Sequence, residues 1–146
     1  MMQLIQLVQL KGNFMIQPME MITESKTILL IDDDDIIRRL VQICLESFAN
    51  WRIKVATSGR EGLIAIAKAK PDAILLDMMM PDMDGFDFVD ELKADAQIAD
   101  IPIVAMTACT NLINYQSFIE LGCKGIISKP FEPITLIPQI KKILNW

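Results

Sequence analysis

The sequence contains no histidine and only three cysteines among its 146 residues. The absence of histidine excludes His-ligated zinc sites, Ser-His-Asp triads, Cys-His proteases and acid–base chemistry by imidazole. The cysteines, Cys44, Cys109 and Cys123, are odd in number and none of them are in CxxC spacing. That pattern indicates reduced thiols in a cytoplasmic protein rather than a disulfide framework. What remains open is chemistry through carboxylates, hydroxyls, lysines and hard cations.

The chain also lacks an excess of basic residues and any long apolar run. It has 14 Lys and Arg against 19 Asp and Glu, a formal net charge of −5. An acidic chain is unsuited to binding DNA or RNA by itself, because such binding needs a basic surface. A membrane span takes about 20 consecutive apolar residues, and no stretch reaches that length. We therefore expect neither direct nucleic-acid binding nor membrane insertion.

Apolar residues make up 52% of the chain, and from residue 26 onward they follow a regular alternation. Short apolar runs such as Thr27–Ile31 have no period-2 pattern, which is typical of strands buried on both faces of a parallel sheet. Between these runs lie segments such as 36–48, whose apolar residues recur at helical spacing. Five strands and five helices alternate in this way. The pattern predicts an α/β domain with a doubly wound parallel sheet over residues 26–146.

Residues 1–25 precede this alternation and differ from it in character. The first ten residues, MMQLIQLVQL, are apolar but interrupted by three glutamines, and Lys11 follows them rather than preceding them. A signal peptide requires the opposite order, with positive charge before an unbroken apolar core. Four of the apolar residues can line one face of a helix. We expect an N-terminal extension that is poorly ordered or forms an extra helix.

Polar, reactive side chains follow four of the five predicted strands at the point where each strand ends. They are Asp32 and Asp33, Asp77, Thr107 and Lys129. In open parallel sheets ligands bind beyond the carboxyl ends of the strands, so these side chains should converge on one edge. Carboxylates suit a hard cation such as Mg²⁺, and a hydroxyl and an ammonium suit a phosphoryl group. Asp77 can act as a nucleophile that forms an aspartyl phosphate, so the set predicts phosphoryl transfer.

Four ordered motifs also carry a family resemblance: ILLIDDDDIIRRL, AILLDMMMPDMDG, Met106-Thr107-Ala108 and SKPFEP. This set resembles the signature of response-regulator receiver domains, the CheY-like modules of two-component signalling, and it covers about residues 26–146. The resemblance implies a flavodoxin-like fold with strand order 2-1-3-4-5 and five helices. The receiver motifs take up residues 26–146 after the 1–25 extension, so we expect a single receiver domain with no room for an output domain, unless the chain is a piece of a longer protein.

The resemblance implies how the acceptor and its metal are arranged. Asp77 would accept a phosphoryl group from a phosphohistidine on a sensor histidine kinase or a histidine phosphotransfer protein. Asp33, Asp77 and the backbone carbonyl of Met79 would bind Mg²⁺ directly, and Asp32 would act through metal-bound water. The side chain of Met79 occupies a position that tunes dephosphorylation in this family. Because it is apolar, it cannot orient an attacking water, and we expect the phosphoryl group not to be lost especially fast.

The residues around the phosphoryl group are implied in the same way. Thr107, followed by Ala108, would turn its hydroxyl to a phosphoryl oxygen, and Lys129 would pair with the phosphate. Ile126 stands three residues before the lysine, where receivers often have Tyr or Phe. Coupling through a threonine–aromatic switch is therefore not expected, and backbone or aliphatic shifts must replace it. Cys109, two residues after the threonine, is the second position that tunes dephosphorylation.

The leading hypothesis is thus a signalling module and not an enzyme. Such a module catalyses only its own phosphoryl transfer and autodephosphorylation. Its output would pass to an unknown protein through the surface formed by about residues 111–144. The sequence also allows the chain to form a dimer. A metal-dependent phosphohydrolase with an aspartyl nucleophile is an alternative, although it should have an Asp-x-Asp pair where this chain has Asp77-Met78-Met79. A receiver that is never phosphorylated and serves only in interactions is another. Failure to bind beryllofluoride with Mg²⁺ would favour it.

Overall fold

The computed structural model describes residues 25–108 and 111–146 and the backbone of two N-terminal strands, with the side chains at 112 and 113 excepted. The strands are β1 (Leu4–Leu10), β2 (Asn13–Met19), β3 (Thr27–Ile31), β4 (Arg52–Ala56), β5 (Ala73–Asp77), β6 (Ile103–Thr107) and β7 (Gly125–Ser128). The helices are α1 (Asp35–Phe48), α2 (Gly59–Lys68), α3 (Gly85–Ala94), α4 (Leu112–Leu121) and α5 (Pro133–Leu144). From β3 onward, strands and helices alternate as predicted.

Strands β3 to β7 form one parallel sheet in the order β4-β3-β5-β6-β7. Numbered within that sheet, the order is 2-1-3-4-5, which confirms the predicted fold. The order reverses at β3, because the chain goes first to β4 on one side and then to β5 on the other. That reversal makes the edge beyond β3 and β5 the expected place for a ligand.

The sheet is buried on both faces, because alternate side chains of each strand point to opposite sides. On one side Ile28 and Leu30 pack in a cluster with residues of α1 and α5. On the other side Leu29 and Ile31 pack with residues of α2, α3 and α4. Every residue of β5 and β6 is buried, which explains why their sequences show no polar alternation. Each such Leu or Ile contributes roughly 1.5–3 kcal/mol by leaving water.

Helices begin immediately after the loops that leave the sheet edge, and side chains at the loop ends cap them. Asp34 Oδ1 accepts hydrogen bonds from Ile36 N at 2.8 Å and Ile37 N at 3.3 Å at the start of α1. Asp84 Oδ1 accepts one from Asp87 N at 2.9 Å at the start of α3. These caps fix the direction in which the chain leaves the edge. Among the described residues, no helix combines the length and apolar character needed to cross a membrane.

The N-terminal segment differs from the expectation of a poorly ordered extension or an extra helix. Strands β1 and β2 pair antiparallel as a separate two-stranded sheet. The prediction of a helix is therefore wrong for residues 4–10 and 13–19. Only Lys11 and Gly12 separate the two strands in the sequence. A two-residue connection with glycine suits an antiparallel hairpin, whereas the glycine would weaken a helix by about 1 kcal/mol.

Candidate functional site

Neighbouring parallel strands carry Asp32 and Asp77 to the same level of the sheet edge. Ile31 pairs with Leu76 in the register of β3 and β5, and an aspartate follows each of these residues. Because adjacent strands lie about 4.8 Å apart, this register brings the two carboxylates together. Both are buried, with exposed fractions of 0% for Asp32 and 4% for Asp77. The sequence prediction that the strand ends converge is confirmed for this pair.

Asp33 adds a third, exposed carboxylate to the pair. One oxygen from each of the three aspartates lies within 4.8 Å of the others. Burial, together with the negative charge of Asp32, raises the pKa of Asp77 to about 6, although a hydrogen bond from Met79 N opposes the rise. The raised pKa means that ionisation of Asp77 is disfavoured, chiefly because burial removes the carboxylate from water and also because a like charge lies beside it.

Lys129 brings a positive charge into the cluster from the end of β7. Its Nζ lies 2.7 Å from Asp32 Oδ2 and 3.5 Å from Asp77 Oδ2. Its backbone N–H donates to the Thr107 carbonyl at 2.8 Å, which continues the pairing of β6 with β7. Lys129 is therefore held both at its backbone and at the tip of its side chain, although 97 positions separate it from Asp32 in the chain. The cluster thus combines three carboxyl groups with one ammonium group, an excess of acidic groups.

The other predicted site residues lie around this cluster. Thr107 is buried at the end of β6, and Ala108 after it is exposed. Met79 N donates to Asp77 Oδ1 at 3.0 Å, while the Met79 side chain is 65% exposed. Ile126 is half-buried against the core on the α3 and α4 side of the sheet. Cys109 lies outside the described residues.

The loop after Asp77 is held close by Gly85. Gly85 N donates to the Met78 carbonyl at 3.2 Å. A Cβ at this glycine would lie 2.7 Å from Met78 Cα, closer than atoms can pack. Since that obstacle is backbone, it cannot move aside as a flexible side chain does. The glycine thus lets the chain close a short loop beside the carboxylate cluster and begin α3.

Arg38 joins the site although no role was predicted for it within the motif ILLIDDDDIIRRL. Its Nη1 donates to the backbone carbonyl of Asp32 at 2.7 Å, and its Nη2 pairs with the Asp35 carboxylate. The side chain is only 14% exposed. Its position carried a usable signal, because long side chains on a helix lean toward the helix N-terminus. An arginine one turn into α1 is therefore directed toward the loop that contains the aspartates.

The donor set fits a magnesium ion. Mg²⁺ prefers six oxygen ligands at about 2.0–2.1 Å, which places neighbouring ligands about 3 Å apart and opposite ones about 4 Å apart. Three carboxylate oxygens within 4.8 Å of each other approach this spacing. Their negative charge exceeds what Lys129 neutralises. In the described part of the chain, this is the one group of three or more Asp, Glu or Cys side chains close enough together to hold a metal ion.

Comparisons with known proteins agree with this geometry. The family model described as "Response regulator receiver domain" matches residues 28–141. The phosphate regulon transcriptional regulatory protein PhoB of Pseudomonas aeruginosa is 36% identical over 121 residues, 83% of this chain and 52% of that protein. The DNA-binding dual master transcriptional regulator RpaA of Synechocystis is 33% identical over 118 residues, 81% of this chain and 48% of that protein. The chain thus spans about half the length of these relatives.

Solved structures give the same result. The chemotaxis response regulator CheY4 of Vibrio cholerae matches with a TM-score of 0.77 and 32% identity, over 82% of this chain and 99% of that one. The receiver domain of the Francisella response regulator 1452 matches with a TM-score of 0.74 and 26% identity, over 83% of this chain and 98% of that one. With the family model covering most of the chain, these likenesses show that the protein belongs to the response regulator receiver domain family.

Proposed function

We propose that this receiver domain accepts a phosphoryl group on Asp77 from the phosphohistidine of a sensor histidine kinase or histidine phosphotransfer protein. The observation that carries the proposal is the meeting of Asp77 with Lys129 and two further carboxylates at one sheet edge. Asp77 Oδ1 accepts a hydrogen bond from Met79 N, and Oδ2 faces Lys129 Nζ at 3.5 Å. A carboxylate held in this way is oriented for attack on a phosphorus atom.

The proposed transfer exchanges one bond at phosphorus for another. A carboxylate oxygen of Asp77 attacks the phosphorus, and the bond from phosphorus to the donor's imidazole nitrogen breaks. The bonding electrons leave with the imidazole nitrogen. A donor that is protonated on its other ring nitrogen leaves as neutral histidine, and a donor without that proton takes one from water to become neutral histidine. Lys129 compensates charge on the phosphoryl oxygens, and the Thr107 hydroxyl donates a hydrogen bond to one of them. The product is an acyl phosphate on Asp77.

We propose Mg²⁺ as the cofactor of this step. Asp33, Asp77 and the backbone carbonyl of Met79 would hold it directly, and Asp32 would act through water. When bound, the ion neutralises charge on the phosphoryl group during the in-line displacement. Asp32 has a second task, since its carboxylate pairs with Lys129 at 2.7 Å and so sets the height of the ammonium above the sheet edge.

The receiver domain is a signalling module, and its output is proposed to pass by protein contact through the surface of about residues 111–144. The negative formal charge argues against nucleic acid as the direct target of this chain.

Ile126 stands where receivers often have an aromatic side chain. The conformational change on phosphorylation should therefore spread from Thr107 through backbone or aliphatic shifts. Met79 offers no hydrogen bond to an attacking water from its side chain, so the phosphoryl group should persist for more than minutes.

Incubation with acetyl phosphate and Mg²⁺, followed by intact-mass measurement, tests the proposal. The chain should gain the mass of one phosphoryl group, and Asp77→Ala should not. Asp82→Asn is the matched control, because Asp82 is exposed in the loop beside the site and lies outside the carboxylate cluster. Asn also tolerates the positive φ of 67° at that position.

Three results would overturn the assignment. Phosphorylation that persists in Asp77→Ala would move the acceptor to another residue. Steady hydrolysis of a small phosphate ester by the wild-type chain would instead favour a phosphohydrolase. An unmodified wild-type chain that also fails to bind beryllofluoride with Mg²⁺ would favour a receiver that serves only in interactions.

A further inference from the structure

The carboxylate cluster depends on the backbone conformation just after β3. The three successive residues there, Asp32 to Asp34, each make a different contact. Asp32 Oδ2 pairs with Lys129, while Asp32 Oδ1 accepts a hydrogen bond from Asp34 N at 2.9 Å. Asp33 lies between them and offers a carboxylate to the cluster. A small rotation of the peptide plane between Asp32 and Asp33 would therefore move both carboxylates relative to Asp77.

Arg38 contacts this peptide plane directly. Its Nη1 donates to the Asp32 carbonyl, the oxygen of that same peptide plane, at 2.7 Å. A hydrogen bond this short from a charged donor is stronger than one between neutral groups. The guanidinium is also tied to Asp35 in the first turn of α1. Arg38 thus links the loop to the helix that follows it.

We propose that Arg38 is a positioning residue of the metal site, which fixes the Asp32–Asp33 peptide so that both carboxylates face Asp77. This inference rests on the proposed Mg²⁺ site and adds to it a residue that does not touch the ion. Groups that orient metal ligands from behind commonly change metal affinity by about 10–100-fold when they are removed. Arg38 is mostly buried, which suits such a role better than a role in binding a partner.

The sign of the effect separates positioning from electrostatics. Arg38 carries a positive charge close to a site for a cation, so removal of that charge alone should tighten Mg²⁺ binding. Loss of the hydrogen bond to the Asp32 carbonyl should weaken Mg²⁺ binding, because the carboxylates are then less well ordered. The two explanations therefore predict opposite changes for the same substitution.

The experiment measures Mg²⁺ affinity by titration calorimetry on the full chain and four variants. Arg38→Met removes both the charge and the donor. Arg38→Gln also removes the charge, and its side chain is two bonds shorter, so its amide stops short of the Asp32 carbonyl that Nη1 contacts. Arg38→Lys keeps the charge with a single donor group. Arg39→Met is the matched control. Arg39 is the exposed neighbour on α1 and makes no hydrogen bond or ion pair with the described residues. We expect Arg38→Met to weaken Mg²⁺ binding about tenfold, Arg38→Lys to restore most of it, and Arg39→Met to leave it unchanged or slightly tighter.

A second measurement needs no metal. In EDTA, amide hydrogen exchange of the segment that contains Asp33 and Asp34 should be faster in Arg38→Met than in the wild type, and unchanged in Arg39→Met. If Arg38→Met does not fold, Arg38→Gln gives the decision, with weaker binding than wild type expected. Equal or tighter Mg²⁺ binding by a folded Arg38→Met or Arg38→Gln overturns the inference. Failure of the wild-type chain to bind Mg²⁺ overturns the proposed function instead, so the two failures are distinct.

Discussion

Replacement of the acceptor by its neutral amide, Asp77→Asn, should make the metal-free protein more stable. The pKa of Asp77 is raised from 3.8 to about 6 by burial and by the charge of Asp32. A raised pKa means that the folded state holds the proton more tightly than the unfolded state does. The carboxyl therefore stabilises the fold when it is protonated, and this contribution is lost as the pH rises from about 4 through about 6.

The size of the effect follows from the difference between the two pKa values. A difference of about 2 corresponds to about 3 kcal/mol at neutral pH, at 1.36 kcal/mol for each pKa unit. Solvent and salt at the open side of the site screen part of this energy, so we expect Asp77→Asn to gain about 1–3 kcal/mol. The asparagine Oδ1 can still accept the hydrogen bond from Met79 N, which keeps the loop in place.

Urea unfolding in EDTA, followed by the fluorescence of Trp51 and Trp146, measures this gain as a function of pH. The advantage of Asp77→Asn should be full at neutral pH, should shrink as the pH falls below about 6, and should vanish below about pH 3, where the wild-type carboxyl is protonated in both states. Added Mg²⁺ should stabilise the wild type and should have much less effect on the variant. Lower stability of Asp77→Asn at neutral pH, or an advantage that does not change with pH, would contradict a raised pKa of Asp77 in the folded state. Asp82→Asn should show no such dependence.

Three further substitutions have expected outcomes that the same unfolding assay can check. Lys129→Met leaves the buried Asp32 without its cation and should lower the free energy of unfolding in EDTA by about 3 kcal/mol. The same variant should bind Mg²⁺ more tightly, and unchanged stability would contradict the ion pair. Gly85→Ala forces a Cβ against the Met78 backbone and should cost about 1–3 kcal/mol, and a smaller loss would mean that the loop can open. Asp34→Ala removes the cap of α1 and should cost about 1 kcal/mol with Mg²⁺ affinity reduced less than twofold; a large loss of affinity would make Asp34 part of the site.

The parallel sheet and its functional edge could be read from the sequence because two independent patterns agreed. The short apolar run of Thr27–Ile31 and the four apolar residues of β5 before Asp77 required strands covered on both faces. Once such strands are parallel, their carboxyl ends share one edge, and Asp32 and Asp77 must be neighbours if β3 and β5 are adjacent. Adjacency itself came from the family resemblance, since no single-sequence pattern fixes strand order.

Features that depend on weak or long-range contacts could not be read in this way. The N-terminal segment has neither a clean helical period nor a clean alternation, so the antiparallel pairing of β1 with β2 did not follow from its apolar pattern. The contact of Arg38 with the Asp32 carbonyl depends on the direction of one long side chain. The ion pair of Lys129 with Asp32 needs the whole sheet to be assembled first.

The location of the phosphoryl group tests most directly whether Asp77 is the acceptor. After reaction with acetyl phosphate and Mg²⁺, borohydride reduces an acyl phosphate on aspartate to homoserine, which peptide mass spectrometry can place in the chain. We expect homoserine at position 77 alone, and none when Mg²⁺ is withheld by EDTA. Homoserine at Asp32, at Asp33 or at any other acidic residue would contradict this expectation, as would equal modification without the metal.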